Sequence, residues 1–190
     1  IGTYNADGTP NAMNAAWGGI SEDAEISICV DSAHKTAENL LARRAFTVSM
    51  ATADRLAACD YVGLVSGHQE PNKFAKAGFH ATKSEFVDAP LIDELPMALE
   101  CEVISYDEDT CRLVGRIVNV CADESVLSEK GKVLYCNFEL DEASARNRFN
   151  AICAYRGMDA AEACAGITDW NLRGYNLTAK DFALRLFSRA

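Results

Sequence analysis

The sequence predicts a mainly β fold, an antiparallel barrel with helical additions, and three observations carry that reading. Residues 24–30 (AEISICV), 98–106 (ALECEVISY) and 111–121 (CRLVGRIVNVC) alternate apolar and polar positions and are rich in β-branched types. Tight-turn chemistry joins such runs, at Asp7-Gly8 and at the acidic Asp107-Glu108-Asp109. The helical stretches between them are short and do not alternate regularly with strands, which argues against a parallel α/β sheet.

At the start of the chain, Asp7-Gly8 is a hairpin signal that makes residues 1–4 and 10–17 neighbouring antiparallel strands. The first of these begins so abruptly that a further strand is expected upstream of Ile1. The second carries Asn11, Asn14 and Trp17, poor choices for an ordinary core strand, and leads to a Gly18-Gly19 turn that lets another group approach the backbone. Amides, small residues and one aromatic suit a planar heterocycle with hydrogen-bonding edges. Loop asparagines and a half-buried tryptophan account for the same residues without a ligand.

After the strand at 24–30, residues 35–44 (KTAENLLARR) read as a short helix with Leu40 and Leu41 on one side. Lys35 and Thr36 stand at its start. Free N–H groups at a helix N-terminus, beside a lysine and a hydroxyl, suit an anion; a capping Thr36 and a solvated Lys35 are the alternative. Residues 45–50 follow as a strand. A helix over 54–65 is expected to turn Leu56, Tyr61 and Leu64 inward, and 66–71 (SGHQEP) breaks it. Residues 72–78 make one or two helical turns stopped by Gly78, with Lys73 facing either a ligand or water.

Residues 79–84 and 89–90 give extended chain and a turn before the hairpin of 98–106 and 111–121. Gly115, inside the second of these strands, suggests a bulge or a close contact. Residues 124–133 read as a loop with a Lys-Gly-Lys turn. Beyond them, 134–140 suit a strand, 142–153 and 158–165 suit helices, and Thr178 opens a terminal amphipathic helix in which Phe182, Leu186 and Phe187 are candidate interface residues.

The chain has 190 residues, enough for one well-buried domain spanning 1–190. Its formal charge of −10 repels phosphate backbones at long range, which argues against nucleic acid as a partner. No apolar run approaches the roughly 20 residues that span a bilayer, so no membrane role is expected. The eight cysteines never occur as Cys-x-x-Cys, and the three histidines are scattered; buried thiols of a soluble cytoplasmic protein fit better than disulfides, and no metal site is indicated. The phosphate loop, the dinucleotide fingerprint and the nucleophile elbow are absent, and no catalytic residue stands out.

Three segments together resemble the flavin reductase-like, FMN-binding split-barrel family, its flavoredoxin branch in particular: IGTYNADGTPNAMNAAWGGI, KTAENLLARRAFTVSM, and DYVGLVSGHQEPNKFAKAGF followed by VDAPLIDELPMALECEV. The match covers residues 1 to about 124, is weak over 125–165 and finds no counterpart from 166 on. The resemblance implies a six-stranded antiparallel split β-barrel, a homodimer, and FMN near the subunit interface. It assigns flavin contacts to Asn11 and Trp17 with Asn14 on the same strand, phosphate contacts to Lys35 and Thr36, and a basic contact to Lys73 of the family's Asp-Lys-Phe motif, here Asn72-Lys73-Phe74. Ala12, Gly18, Asn39 and Gly67 complete the implied cofactor set, and Tyr155 matches a terminal aromatic near the ring.

One departure bears on activity: a histidine common in the family is replaced near Thr110 or Cys111. The leading expectation is an FMN-dependent oxidoreductase passing electrons from NAD(P)H to free flavin or a redox partner protein. The alternatives are an FMN-binding electron carrier or sensor with no nicotinamide site, and a split barrel without cofactor that serves as a dimeric interaction module.

Overall fold

In a computed structural model of the chain, residues 1–131 and 133 are described, and they fall within one compact unit, Ile1–Leu134. The expectations for residues 134–190, including Tyr155 and the terminal helix, lie outside the described residues. The strands are β1 (Gly2–Tyr4), β2 (Pro10–Ala12), β3 (Gly18–Glu22), β4 (Glu25–Cys29), β5 (Ala45–Ser49), β6 (Ala81–Lys83), β7 (Pro90–Ile92), β8 (Met97–Asp107) and β9 (Arg112–Ala122). The helices are α1 (Lys35–Arg43), α2 (Leu56–Leu64) and α3 (Lys73–Lys76), with single 3-10 turns at Ala53–Arg55 and Glu124–Val126.

Seven strands form one antiparallel sheet in the order β2-β1-β5-β8-β9-β4-β3, and β6 and β7 pair separately. The mainly β antiparallel class is as expected; among the described residues the main sheet has seven strands, where the split barrel was expected to have six. The difference arises at residues 13–22. Strand β2 ends at Ala12, Trp17 lies off it, and Gly18-Gly19 is not a turn but the start of β3, paired with β4 through Gly18 opposite Ile28 and Gly19 opposite Ser27. Among the described residues the edge strands β2 and β3 are not paired with each other, so the barrel stays open.

The first hairpin forms as its turn chemistry requires. Gly8 takes φ 84°, and Asp7 Oδ1 accepts from the Thr9 backbone N–H, which places Gly2 opposite Ala12 and Tyr4 opposite Pro10. The long hairpin of β8 and β9 also forms, closed by Asp107 Oδ1 accepting from the N–H groups of Asp109 and Thr110. The register shifts opposite Gly115, leaving Ile104 as the extra residue of a bulge. A Cβ on Gly115 would overlap the buried Phe46 ring, so both the bulge and the close contact expected there are present.

One core cluster joins Ala37 and Leu40 of α1 to Ile26, Ile28, Phe46, Leu99, Cys101, Val103 and Leu113 of the sheet. Leu41, one residue further and about 100° round the helix, is exposed rather than paired with Leu40. A second cluster packs α2 and α3 on β2 through Cys59, Val62, Phe74, Ala12, Phe79 and Ile92. Here the expected inward face is corrected in part: Tyr61 is half-buried against the cluster as expected, but Leu56 and Leu64 are exposed, and the smaller Cys59 and Val62 turn inward against Phe74. The N-terminus of α1 and the C-terminus of α2 come close enough to line one cavity.

Among the described residues no helix is long and apolar enough to cross a membrane, and no group of three metal-ligating side chains gathers. The described cysteines are free; Cys59 and Cys101 are buried, but Cys29 is exposed and Cys111 and Cys121 are half-buried, so burial is not general among them. Burial pushes the Cys101 thiol up to about 12.

Candidate functional site

A cavity of about 100 Å³ lies where α1 begins and α2 ends, lined by Met13, His34, Lys35, Thr36, Val62 to Val65, Ser66, Gly67 and Lys73. Helix α1 starts at Lys35, with His34 in extended conformation at its N-cap and no side chain capping it. The backbone N–H groups of Lys35 and Thr36 meet no acceptor among the described residues. They are the unsatisfied donors of a helix N-terminus and carry its positive end.

Thr36 does not cap the helix. It is buried, and its Oγ1 accepts from Asn11 Nδ2 at 3.1 Å. Asn11 also reaches Thr3 Oγ1 at 3.3 Å, and the same Thr3 hydroxyl accepts from Asn39 Nδ2 at 3.0 Å. Asn39 gives its other Nδ2 hydrogen to Asn5 Oδ1. Asn11 and Asn39 are thus committed to holding α1 against β1 and β2, and neither lines the cavity.

Lys73 faces neither open water nor an acid. Its side chain is buried, 4% exposed, and Nζ donates to the Val62 carbonyl at 2.8 Å and the Val65 carbonyl at 2.9 Å, the last carbonyls of α2. Burial lowers the Lys73 ammonium to about 8. A third hydrogen remains on Nζ beside the cavity. Lys35 is half-buried and pairs with Glu38 at 2.6 Å. An exposed i,i+3 pair of this kind contributes about 0–1 kcal/mol, which a phosphate readily replaces.

Gly67 closes the loop over the site. A Cβ there would stand 2.9 Å from Asn11 Oδ1 and 3.0 Å from Lys35 Cβ, so only glycine admits this approach. The loop after α2 and the start of α1 therefore form a close cradle with N–H donors, one hydroxyl and two ammonium groups. That donor set matches a phosphate monoester.

The structure brings Lys35, Thr36, Gly67 and Lys73 together, with Asn11 directly behind them. Ala12 is buried in the α2–α3 core, and Asn14 is exposed with its Cβ close to Gly63. Trp17, 75% exposed, and Gly18 line a different cavity with Ser27, Ile28, Cys29, Thr110 and Arg112. Sequence reasoning missed Met13, His34 and Ser66 in the first cavity and Arg112 in the second. His34 is adjacent to Lys35, and its place at the helix N-cap was the available signal.

The flavin reductase like domain family matches residues 1–144. Flavoredoxin of Desulfovibrio vulgaris (Miyazaki F) is similar at 38% identity and TM-score 0.67, covering 70% of this chain and 73% of that one. Flavoredoxin from Methanosarcina acetivorans is similar at 27% identity and TM-score 0.63, covering 70% and 71%. The FMN-binding domain of a flavin reductases-like enzyme from Shewanella baltica OS155, at 20% identity and TM-score 0.64 over 70% and 72%, bears on the fold alone. No curated protein matches the sequence. With three-quarters of its length matched by the family and a flavoredoxin alike in both sequence and fold, the chain belongs to the flavin reductase-like domain family.

Proposed function

We propose that the chain binds FMN noncovalently, with the phosphate in the cradle at the start of α1, and works as an oxidoreductase that passes electrons from NAD(P)H to free flavin or to a redox partner protein. The observation that carries this reading is the convergence of Lys35, Thr36, Gly67 and Lys73, from three separate stretches, on one small cavity at a helix N-terminus. At about 100 Å³ the cavity is well below the roughly 300–1,000 Å³ of pockets that enclose a whole drug-sized ligand. It suits the phosphate end, and the ring would lie beyond it, toward residues 13–18.

When bound, the flavin supplies hydride acceptance and electron transfer. The chain's own residues bind and orient. The α1 N–H groups and Thr36 hold the phosphate, Lys73 and Lys35 balance its charge, and Asn11 fixes the start of α1 from behind. Trp17 and Asn14 are proposed to shape the ring's surroundings, with no acid-base role. Five free thiols among the described residues fit a reducing cytoplasmic setting.

A second reading, an FMN-binding electron-transfer or sensor protein without a nicotinamide site, is favoured by Thr110 and Cys111 standing where the family resemblance expects a histidine. Anaerobic titration of the yellow protein with NADH and NADPH separates the two. Bleaching supports the oxidoreductase, and unchanged colour with either nucleotide overturns it in favour of the second reading. A homodimer belongs to the same proposal, and light scattering that shows a stable monomer at micromolar concentration removes that part.

A further inference from the structure

Two ammonium groups border the cradle at α1, and they are held in different ways. Lys73 is fixed by the carbonyls of Val62 and Val65, backbone groups that stay beside the cavity whether or not a ligand is there. Lys35 is held by an acid. Its Nζ donates to Glu38 Oε1 at 2.6 Å, and this carboxylate is 54% exposed and does not line the cavity.

The stem of Lys35 has little freedom. A Cβ on Gly67 would stand 3.0 Å from Lys35 Cβ and 3.2 Å from its Cγ, so the loop after α2 packs on the first two carbons and leaves only the outer end to swing. That end carries a compact charge on a flexible stem and can turn to the carboxylate or to the cavity. Asp7 also lies within electrostatic reach of Lys35, but its Oδ1 is taken by the Thr9 N–H and hydroxyl. The Lys35 hydrogen bond, with His68 nearby, lowers the Glu38 carboxyl from its ordinary value. Glu38 therefore offers Lys35 what a phosphate would offer, an anionic oxygen at hydrogen-bonding distance.

We infer that Glu38 competes with the FMN phosphate for Lys35, so that the chain binds FMN more weakly and releases it faster than its donor set would allow. The inference rests on the phosphate reading of the cradle. Glu38 is a positioning residue, acting through the Lys35 ammonium and not on the flavin. It also stands in the first turn of α1, where a carboxylate favours the helix. Stability and binding thus pull in opposite directions at one position. A flavin held in this way exchanges with free FMN, which suits a chain that passes electrons to free flavin.

Glu38→Gln keeps the shape of the side chain and removes its charge. In the full chain stripped of flavin, quenching of flavin fluorescence should show this variant binding FMN about three- to fivefold more tightly than wild type, with riboflavin affinity unchanged. Stopped flow should show FMN leaving more slowly by a similar factor. Thermal unfolding of the flavin-free variant should occur at the wild-type temperature or slightly below it, so that the gain in affinity is not a gain in stability. In a Lys35→Met background, Glu38→Gln should bring less than half of that gain. FMN bound no more tightly by Glu38→Gln, an equal gain for riboflavin, or a gain of which more than half survives without Lys35 overturns the inference. If wild type prefers FMN to riboflavin while Glu38→Gln brings no gain, the cradle stands and the competition alone is removed. If wild type binds the two flavins equally, the phosphate reading fails and the inference falls with it.

Discussion

Asn11 Nδ2 and Thr36 Oγ1 lie 3.1 Å apart, a buried hydrogen bond that ties β2 to the first turn of α1. Through Thr3 the same amide is linked to Asn39 further along the helix. Buried polar side chains that satisfy one another fix a single arrangement, because any slip leaves a donor or acceptor unpaired in a dry interior. The direction of the α1 N-terminus, and with it the proposed phosphate cradle, is held by these amides.

Asn11→Ala should accordingly act on both stability and binding. Leaving Thr3 and Thr36 without their shared donor should destabilise the chain by about 1–3 kcal/mol in thermal unfolding. FMN affinity, followed by quenching of flavin fluorescence, should fall with it. Asn14→Ala, at an exposed position, should stay within about 0.5 kcal/mol of wild type. A stable Asn11→Ala with unaltered FMN affinity would show that α1 is held by its apolar face alone.

Lys73 gives the binding a pH dependence of known sign. Its folded-state value of about 8 lies below the ordinary 10.5, so between those values the unfolded chain holds more protons and unliganded stability rises with pH. Binding runs the other way. A bound phosphate needs the ammonium charged, so FMN affinity should decline as pH rises through about 8. Lys73→Met should weaken FMN by about tenfold or more at neutral pH and flatten that decline, with little effect on riboflavin. Equal wild-type affinity for FMN and riboflavin would remove the phosphate from the argument.

Gly67→Ala tests the cradle with one methyl group. The added Cβ meets Asn11 Oδ1 and Lys35 Cβ at about 3 Å, so the loop must draw back. Because Gly67 is half-buried in a loop outside the core clusters, unfolding temperature should change little. Equilibrium dialysis should show FMN binding severalfold weaker.

Gly115→Ala is the contrasting case, where the new methyl points into the Phe46 ring and neither backbone can withdraw without breaking the pairing of β8, β9 and β4. Overpacking of this kind is expected to cost about 1–3 kcal/mol. Chemical denaturation should show a lower midpoint with an unaltered slope, and FMN affinity should hold wherever the variant is folded.

The two hairpins were legible in the sequence because their causes are local. Asp7-Gly8 supplies the positive φ, Asp107 closes its own turn, and the two-residue period of 111–121 states which side chains face inward. The start of α1 at Lys35 was legible as well, and so were four of the residues that line its cavity, Lys35, Thr36, Gly67 and Lys73. For the family, three separated segments together were decisive where no single motif would have been.

Tertiary structure decided the rest. Gly18 and Gly19 have no side chains to declare a strand, and they join the sheet because β4 presents N–H and C=O groups that need partners. Helix α2 is apolar nearly all round, so only contact with Phe74 and Phe79 selects Cys59 and Val62 as its inner face. Lys73 bonds to the α2 carbonyls because those groups end a helix in a buried place and must be satisfied. The split of Trp17 from Lys35 and Thr36 into separate cavities follows from chain direction between β2 and β3, which no side-chain pattern encodes. Sequence determined which local pieces form, since turns and periodicity act over a few residues; the pairing of distant backbones and the satisfaction of buried polar groups determined where their side chains meet.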